Sequence, residues 1–200
     1  MPKPQLYLAS GSPRRQELLA QIGVQFERIA APIDETPFPN ESAKDYVLRL
    51  AKAKAEAGWQ AMLAQGKHPL PVLAADTTVV LDGQILGKPL DANDAIAMLE
   101  QLSGRSHQVL TSLGLRTHTG TEIVLSVSTV TFMPLSAAQI AAYVASGEPM
   151  DKAGSYGIQG AAGMFISDLQ GSFSGVMGLP LHDTAALLAR HGLGFLAGLS

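Results

Sequence analysis

Three stretches of this sequence predict an α/β fold. Leu6–Ala9 is a short apolar run that breaks at Ser10-Gly11-Ser12-Pro13 and passes into a helical pattern, which is a strand–turn–helix opening. Val72–Leu81 is long and almost wholly apolar, as a buried central strand requires. Ser106–Arg116 and Glu122–Phe132 are two β-type runs joined through Thr117–Thr121, and together they predict an antiparallel hairpin.

The remaining elements follow in chain order. Arg14–Ile22 carries Leu18, Leu19 and Ile22 at helical spacing and stops at Gly23. Val24–Ala30 alternates like a strand, and residues 31–40, with three prolines, form a loop holding Asp34 and Glu35. Glu41–Gln65 is the longest helical pattern, opened by Ser42 with Asp45 three residues on. Asp82-Gly83 after the central strand is a type I′ hairpin signal, and Gln84–Leu86 returns to Gly87-Lys88-Pro89, so that Lys88 can face Asp76 across the hairpin. Helices are expected over Asp91–Leu102, Ser136–Ser146 and His182–Arg190, and a strand over Met164–Leu169. Residues 1–200 make one domain, with 192–200 expected as a frayed tail.

Composition narrows the chemistry. Fourteen basic and 17 acidic residues give a net charge of −3, so no global field draws the chain to nucleic acid or to an anionic membrane. Any bound phosphate must be held by a local cluster. Without cysteine there is no disulfide, thiolate nucleophile or thiolate metal site. Met1–Gln5 leads straight into a strand, so no signal peptide is expected, and no apolar run is long enough to span a bilayer. The expectation is a cytoplasmic protein. Walker-type, dinucleotide-binding and zinc-helix motifs are all missing, and the histidines at 68, 107, 118, 182 and 191 are scattered.

The chemistry-bearing residues each admit two readings. Ser10–Arg15 is either an ordinary Ser-Pro cap with solvated arginines or a helix start whose N–H groups, dipole and two guanidiniums hold phosphate. Asp34 and Glu35 are loop acids or ligands, and Lys44, Arg49, Lys52 and Lys54 are a solvated face or a source of one binding cation. Asp76 stands inside the most apolar run, where a charge is expensive without a cation or metal partner. Gly154, Gly157 and Gly160 either let backbone approach a ligand or simply punctuate a loop. The oxygens of Ser10, Glu35 and Asp76 with the cations Arg14, Arg15, Lys54 and Lys88 suit a hard divalent ion and phosphate oxygens.

Ser10–Arg15, Arg49-Leu50-Ala51 with Lys54-Ala55, Ala75-Asp76-Thr77, Gly87-Lys88-Pro89, Leu102-Ser103-Gly104, Asp151–Gly160 and Gly178-Leu179-Pro180, in this order, resemble the Maf family of nucleoside triphosphate pyrophosphatases. That resemblance implies a mixed α/β fold with an elongated central sheet, flanking helices and a cleft between two lobes, related to the inosine triphosphate pyrophosphatases. A divalent metal (Mg²⁺ or Mn²⁺), a cytoplasmic location and a homodimer are implied as well. The implied reaction converts a nucleoside triphosphate to the monophosphate and pyrophosphate. On the matching positions Asp76 is the proton acceptor, Ser10, Arg15, Lys54 and Lys88 hold phosphate, and Glu35 and Asp76 hold the metal. Arg14, Thr77 and Gln159 are similar to the subgroup acting on dTTP and UTP, and a neutral carboxamide does complement the acceptor–donor–acceptor edge of uracil or thymine. The alternatives are a 7-methyl-GTP or damaged-purine pyrophosphatase, and a nucleotide-binding regulator of cell division that does not turn over.

Overall fold

The computed structural model describes residues 3–194. Its elements run β1 (Leu6–Leu8), α1 (Pro13–Gln21), β2 (Phe26–Arg28), α2 (Ala43–Ala64), β3 (Val72–Leu81), β4 (Gln84–Leu86), α3 (Ala92–Leu102), β5 (Ser106–Thr117), β6 (Gly120–Phe132) and α4 (Ala137–Ala145). Three 3-10 turns, Glu148–Asp151, Ala153–Ser155 and Ala161–Phe165, lead into β7 (Ile166–Gln170), α5 (Phe173–Met177) and α6 (Leu181–Arg190). Seven strands form one mixed sheet in the order β2-β1-β3-β5-β6-β7, with β4 paired to β3. β1 is parallel to β2 and β3, and the other pairings are antiparallel.

Local chemistry explains most boundaries. Asp91 caps α3 by accepting from Asp94 N at 2.9 Å, and Ser136 and Gln139 cap α4 reciprocally. Ser42 caps α2, accepting from Asp45 N at 3.1 Å, while its hydroxyl donates back to the Asp45 carboxylate. Asp82 (φ 51°) and Gly83 (φ 80°) both adopt the left-handed conformation that a type I′ turn demands. Two strands are shorter than their patterns suggest. The expected strand over 24–30 is three residues long, and that over 164–169 begins only at Ile166, because residues 161–165 coil into a 3-10 turn. Of the expected frayed tail, residues 195–200 lie outside the described residues.

Strand β3 divides the interior, since alternate residues point to opposite faces. Leu73 and Ala75 pack with Leu18 and Leu19 of α1 and Leu187 and Leu188 of α6, whereas Val72 and Ala74 pack with Ala55 and Met62 of α2. Helix α2 lies very close to the sheet: a Cβ on Gly114 of β5 would stand 2.7 Å from the Ala51 carbonyl oxygen. A separate core of Leu99, Phe132, Tyr143, Tyr156 and Phe165 anchors the turns between α4 and β7. Its aromatic rings meet edge to face, Phe132 and Tyr156 at 4.9 Å and Tyr143 and Phe165 at 5.4 Å between centroids.

His107 is buried in this core, with Nε2 2.7 Å from the Tyr156 hydroxyl and Nδ1 without a partner. Burial pushes its pKa down from 6.5 to about 4, because the imidazolium cannot be solvated there. The unfolded chain therefore binds a proton that the folded chain refuses. Stability from this group is complete above pH 6.5 and is lost as pH falls toward 4, by about 3 kcal/mol at 1.36 kcal/mol per pH unit. Urea unfolding at pH 6.5 and 4 should show His107→Gln losing less stability than the unaltered chain by roughly that amount. Equal losses would remove His107 as the source.

Candidate active site

The site begins where β3 lacks a neighbour. On one edge β3 pairs with β1 at Val72 and Leu73, and with β4 from Val79 to Leu81. The stretch between, which includes Asp76 and Thr77, has no strand on that side and opens onto a cleft of about 690 Å³. All nine residues singled out from the sequence line this cleft: Ser10, Arg14, Arg15, Glu35, Lys54, Asp76, Thr77, Lys88 and Gln159.

Asp76 points toward α2, where Lys54 Nζ donates to its Oδ1 at 2.7 Å. The same ammonium lies 2.9 Å from Glu35 Oε1, so one lysine joins an acid that is 5% exposed to another on the proline loop. In the fold that loop is laid firmly along α2. The Tyr46 hydroxyl donates to the Glu35 carbonyl at 3.1 Å, and Arg49 donates to the Thr36 carbonyl at 3.1 Å. Burial, with the charges of Asp76 and Glu35, pushes the Tyr46 phenol up to about 12, which keeps its proton available for that bond. Asp34 turns away and accepts from Thr36 N at 2.9 Å, so Glu35 is the loop acid that reaches the cleft. Burial raises the pKa of Asp76 above the ordinary carboxylate value, with the nearby Lys54 and Arg15 charges opposing it. Its Oδ2 makes no hydrogen bond among the described residues.

Thr77 points to the other face, toward α1. Arg15 Nε donates to the Gly178 carbonyl at 2.9 Å, and its NH2 group donates to Thr77 Oγ1 at 3.1 Å. Thr77 sits directly opposite Thr111 of β5, the hydroxyls 3.0 Å apart, and Thr111 donates to the Gly175 carbonyl at 2.7 Å. A guanidinium only donates and a carbonyl only accepts, so the chain runs in one direction: Arg15 to Thr77 to Thr111 to Gly175. Burial pulls the Arg15 guanidinium below its usual value, and the charge of Asp76 is the largest influence against that.

The N-cap of α1, Ser12, makes no side-chain capping bond, and Pro13 occupies the first turn. Ser10 Oγ accepts from Ser12 N at 3.2 Å and from Arg15 NH1 at 3.4 Å. The ordinary-cap reading therefore fails here, and the first turn of α1 keeps polar groups directed at the cleft. Arg14 reaches across to Asp151 at 3.4 Å, and Gln159 is exposed on the turn beyond it. Lys88 is exposed after β4.

Two lining residues escaped the sequence reading. Arg28 ends β2 in register with Leu8 of β1, so the ends of both parallel strands feed the cleft, which is where ligands sit in such sheets. That position was the available signal. Lys152 donates to Asp151 Oδ1 at 2.6 Å and to the Glu148 carbonyl at 2.5 Å. Among the described residues neither Arg28 nor Lys88 forms an ion pair, whereas Lys54, Arg14 and Lys152 do. With Arg15, whose bonds go to Gly178, Thr77 and Ser10, three cations thus face a shared cleft without carboxylate partners among the described residues, in a chain whose net charge is −3.

No three acidic or histidine side chains cluster among the described residues to cage a metal. Glu35 and Asp76 nonetheless both meet the Lys54 ammonium, which brings the two carboxylates together at the cleft, and a pair of carboxylates completed by phosphate oxygens and water is a usual Mg²⁺ arrangement. The donor set fits such an ion.

The description Maf-like protein belongs to the family model that matches residues 5–191. The chain belongs to the Maf-like family. A Maf-like relative from Chromobacterium violaceum, named dTTP/UTP pyrophosphatase, is 55% identical over 187 residues, covering 94% of both chains. Relatives of the same name from Aromatoleum aromaticum (54% identical, 94% of this chain and 95% of that one) and Escherichia coli O157:H7 (55%, 92% and 91%) are similar throughout. The Ham1 protein of Staphylococcus aureus shares 15% identity over 64% of this chain and 71% of its own, with a TM-score of 0.45.

Removing the Lys54 charge should leave the effect of burial on the Asp76 proton less opposed. In Lys54→Met the Asp76 carboxyl is expected to titrate at a clearly higher pH, followed by carbon-detected NMR of the labelled side chain. An unchanged titration would show that the ammonium does not hold Asp76 ionised.

Proposed function

We propose that this Maf-like chain is a nucleoside triphosphate pyrophosphatase that hydrolyses dTTP and UTP to the monophosphate and pyrophosphate. The observation that carries the reading is the convergence of Asp76, Lys54, Arg15 and Lys88 on one cleft, in a chain 55% identical to relatives named dTTP/UTP pyrophosphatase. A triphosphate carries about four negative charges near neutral pH, and unpaired cations at the cleft wall lower the cost of desolvating them.

Asp76 acts as the proton acceptor. Lys54 holds Oδ1 at 2.7 Å, so Oδ2 is the oxygen that takes a proton from the attacking water. The water oxygen bonds to the α-phosphorus as the bond from that phosphorus to the bridging oxygen breaks, and pyrophosphate departs with the electron pair. A carboxylate with a raised pKa is a better base than a solvent-exposed one, which gives its burial a catalytic use. Ser10, Arg15 and Lys88 hold phosphate oxygens, and Arg15 is pre-aimed by Gly178 and Thr77. Glu35 and Asp76 would hold a divalent cation together with the substrate's phosphates, and such an ion supplies neutralisation of phosphate charge.

Arg14, Thr77 and Gln159 select the base. Thr77 donates to Thr111 and accepts from Arg15, so its hydroxyl can offer the base an acceptor only. The Gln159 carboxamide offers one donor and one acceptor face to a uracil or thymine edge. The enzyme is expected to work in the cytoplasm as one two-lobed domain, assembled as a homodimer.

Asp76→Asn should lower pyrophosphate release from dTTP by on the order of 10³-fold while the dTTP-induced rise in Tm with Mg²⁺ persists. Substantial turnover in that variant would remove Asp76 from the role of base. A panel of triphosphates should place dTTP and UTP far ahead of 7-methyl-GTP. The reverse order would favour the 7-methyl-GTP reading, and binding without pyrophosphate release would favour the regulator.

A further inference from the structure

Tyr143 on α4 and Glu148 on the turn after it lie outside the catalytic cluster, yet they meet the backbone on both sides of Gln159. The Tyr143 hydroxyl donates to Glu148 Oε1 at 2.9 Å and accepts from Gly157 N at 3.3 Å. Glu148 Oε2 accepts from Ala161 N at 3.1 Å. Between these two anchors the chain turns on itself, with Gly160 N bonded to the Gly157 carbonyl at 3.0 Å, and Gln159 stands at the exposed corner. The fit is close: a Cβ on Gly160 would fall 2.1 Å from Glu148 Oε1, so a side chain there would displace the carboxylate from its place. The Glu148 carbonyl also accepts from Lys152 Nζ at 2.5 Å, and the Lys152 stem passes 2.8 Å from where a Gly157 Cβ would lie. The Tyr143 ring is 4% exposed and rests edge-on against Phe165, which ties the brace to the core.

We infer that Tyr143 and Glu148 are positioning residues for base selection, a phenol–carboxylate brace that fixes both ends of the turn presenting Gln159. This rests on the reading of Gln159 as a selector of the base. A carboxamide distinguishes bases through paired hydrogen bonds, which fail when the group drifts by about an ångström. A turn held only by its own glycines would allow that drift. The brace removes it without touching substrate.

Tyr143→Phe keeps the ring packing and deletes both hydrogen bonds, while Glu148→Met keeps the side-chain length and removes both acceptors. In each, the kcat/KM ratio of dTTP to GTP should fall about tenfold, equivalent to about 1.4 kcal/mol. The loss should lie in the KM for dTTP, with kcat kept within about threefold. In a Gln159→Ala background the same substitutions should change the ratio no further, since the group they position is gone. An unchanged ratio in the single variants, or an equal fall in both backgrounds, overturns the inference. If the unaltered chain releases no pyrophosphate from dTTP, the functional reading fails separately, and the ratio is then read from dTTP- and GTP-induced Tm shifts. A chain showing no difference between the two nucleotides, or variants that keep an existing one, overturns the brace by that route too.

Discussion

The contact between Asp76 and Lys54 is the constraint around which this molecule is built. A carboxylate in the middle of a buried strand is tolerable only with a cation at hydrogen-bond distance, and the 2.7 Å bond supplies one. That requirement fixes how α2 crosses the sheet, because Lys54 must arrive beside Asp76. The crossing in turn demands the close approach over Gly114. Since the same ammonium also meets Glu35, the proline loop, α2 and the central strand are tied at one point.

The alternation of β3 then assembles the rest of the cleft. Asp76 reaches the α2 side and Thr77 the α1 side, so two consecutive residues recruit two helices with different chemistry. On the α1 side the bonds from Arg15 through Thr77 and Thr111 to Gly175 orient a guanidinium that would otherwise have many rotamers. The strand can serve both sides because its edge is left unpaired between β1 and β4. A continuous neighbour along β3 would close the cleft.

Charge is distributed with the same economy. The acids of the cleft are already matched, Asp76 and Glu35 by Lys54, and Asp151 by Arg14 and Lys152. Arg15, Arg28 and Lys88 remain as cations without carboxylate partners among the described residues, in a molecule that is acidic overall. Local complementarity to a polyanion thus coexists with an acidic net charge. The segment from Glu148 to Ala161 also borders the cleft, and there the hydroxyl of a buried tyrosine accepts from Gly157 N and donates to Glu148.

The sequence by itself determined the α/β class, nearly every helix and the hairpins, because caps, glycines and hydrophobic periodicity act over a few residues. It also singled out Asp76, since an acid inside an apolar run has few innocent explanations. It overextended the strand before Ile166, where a 3-10 turn and an extended run share the same apolar, glycine-bearing composition. The resemblance already pointed to Glu35, but only the tertiary structure showed Asp34 turned onto Thr36 and Glu35 onto Lys54. It alone revealed Arg28 at a strand end, the role of Thr111 opposite Thr77, and the Tyr143–Glu148 support beneath Gln159. Those depend on register and on contacts between residues far apart in the chain, and no local pattern encodes either.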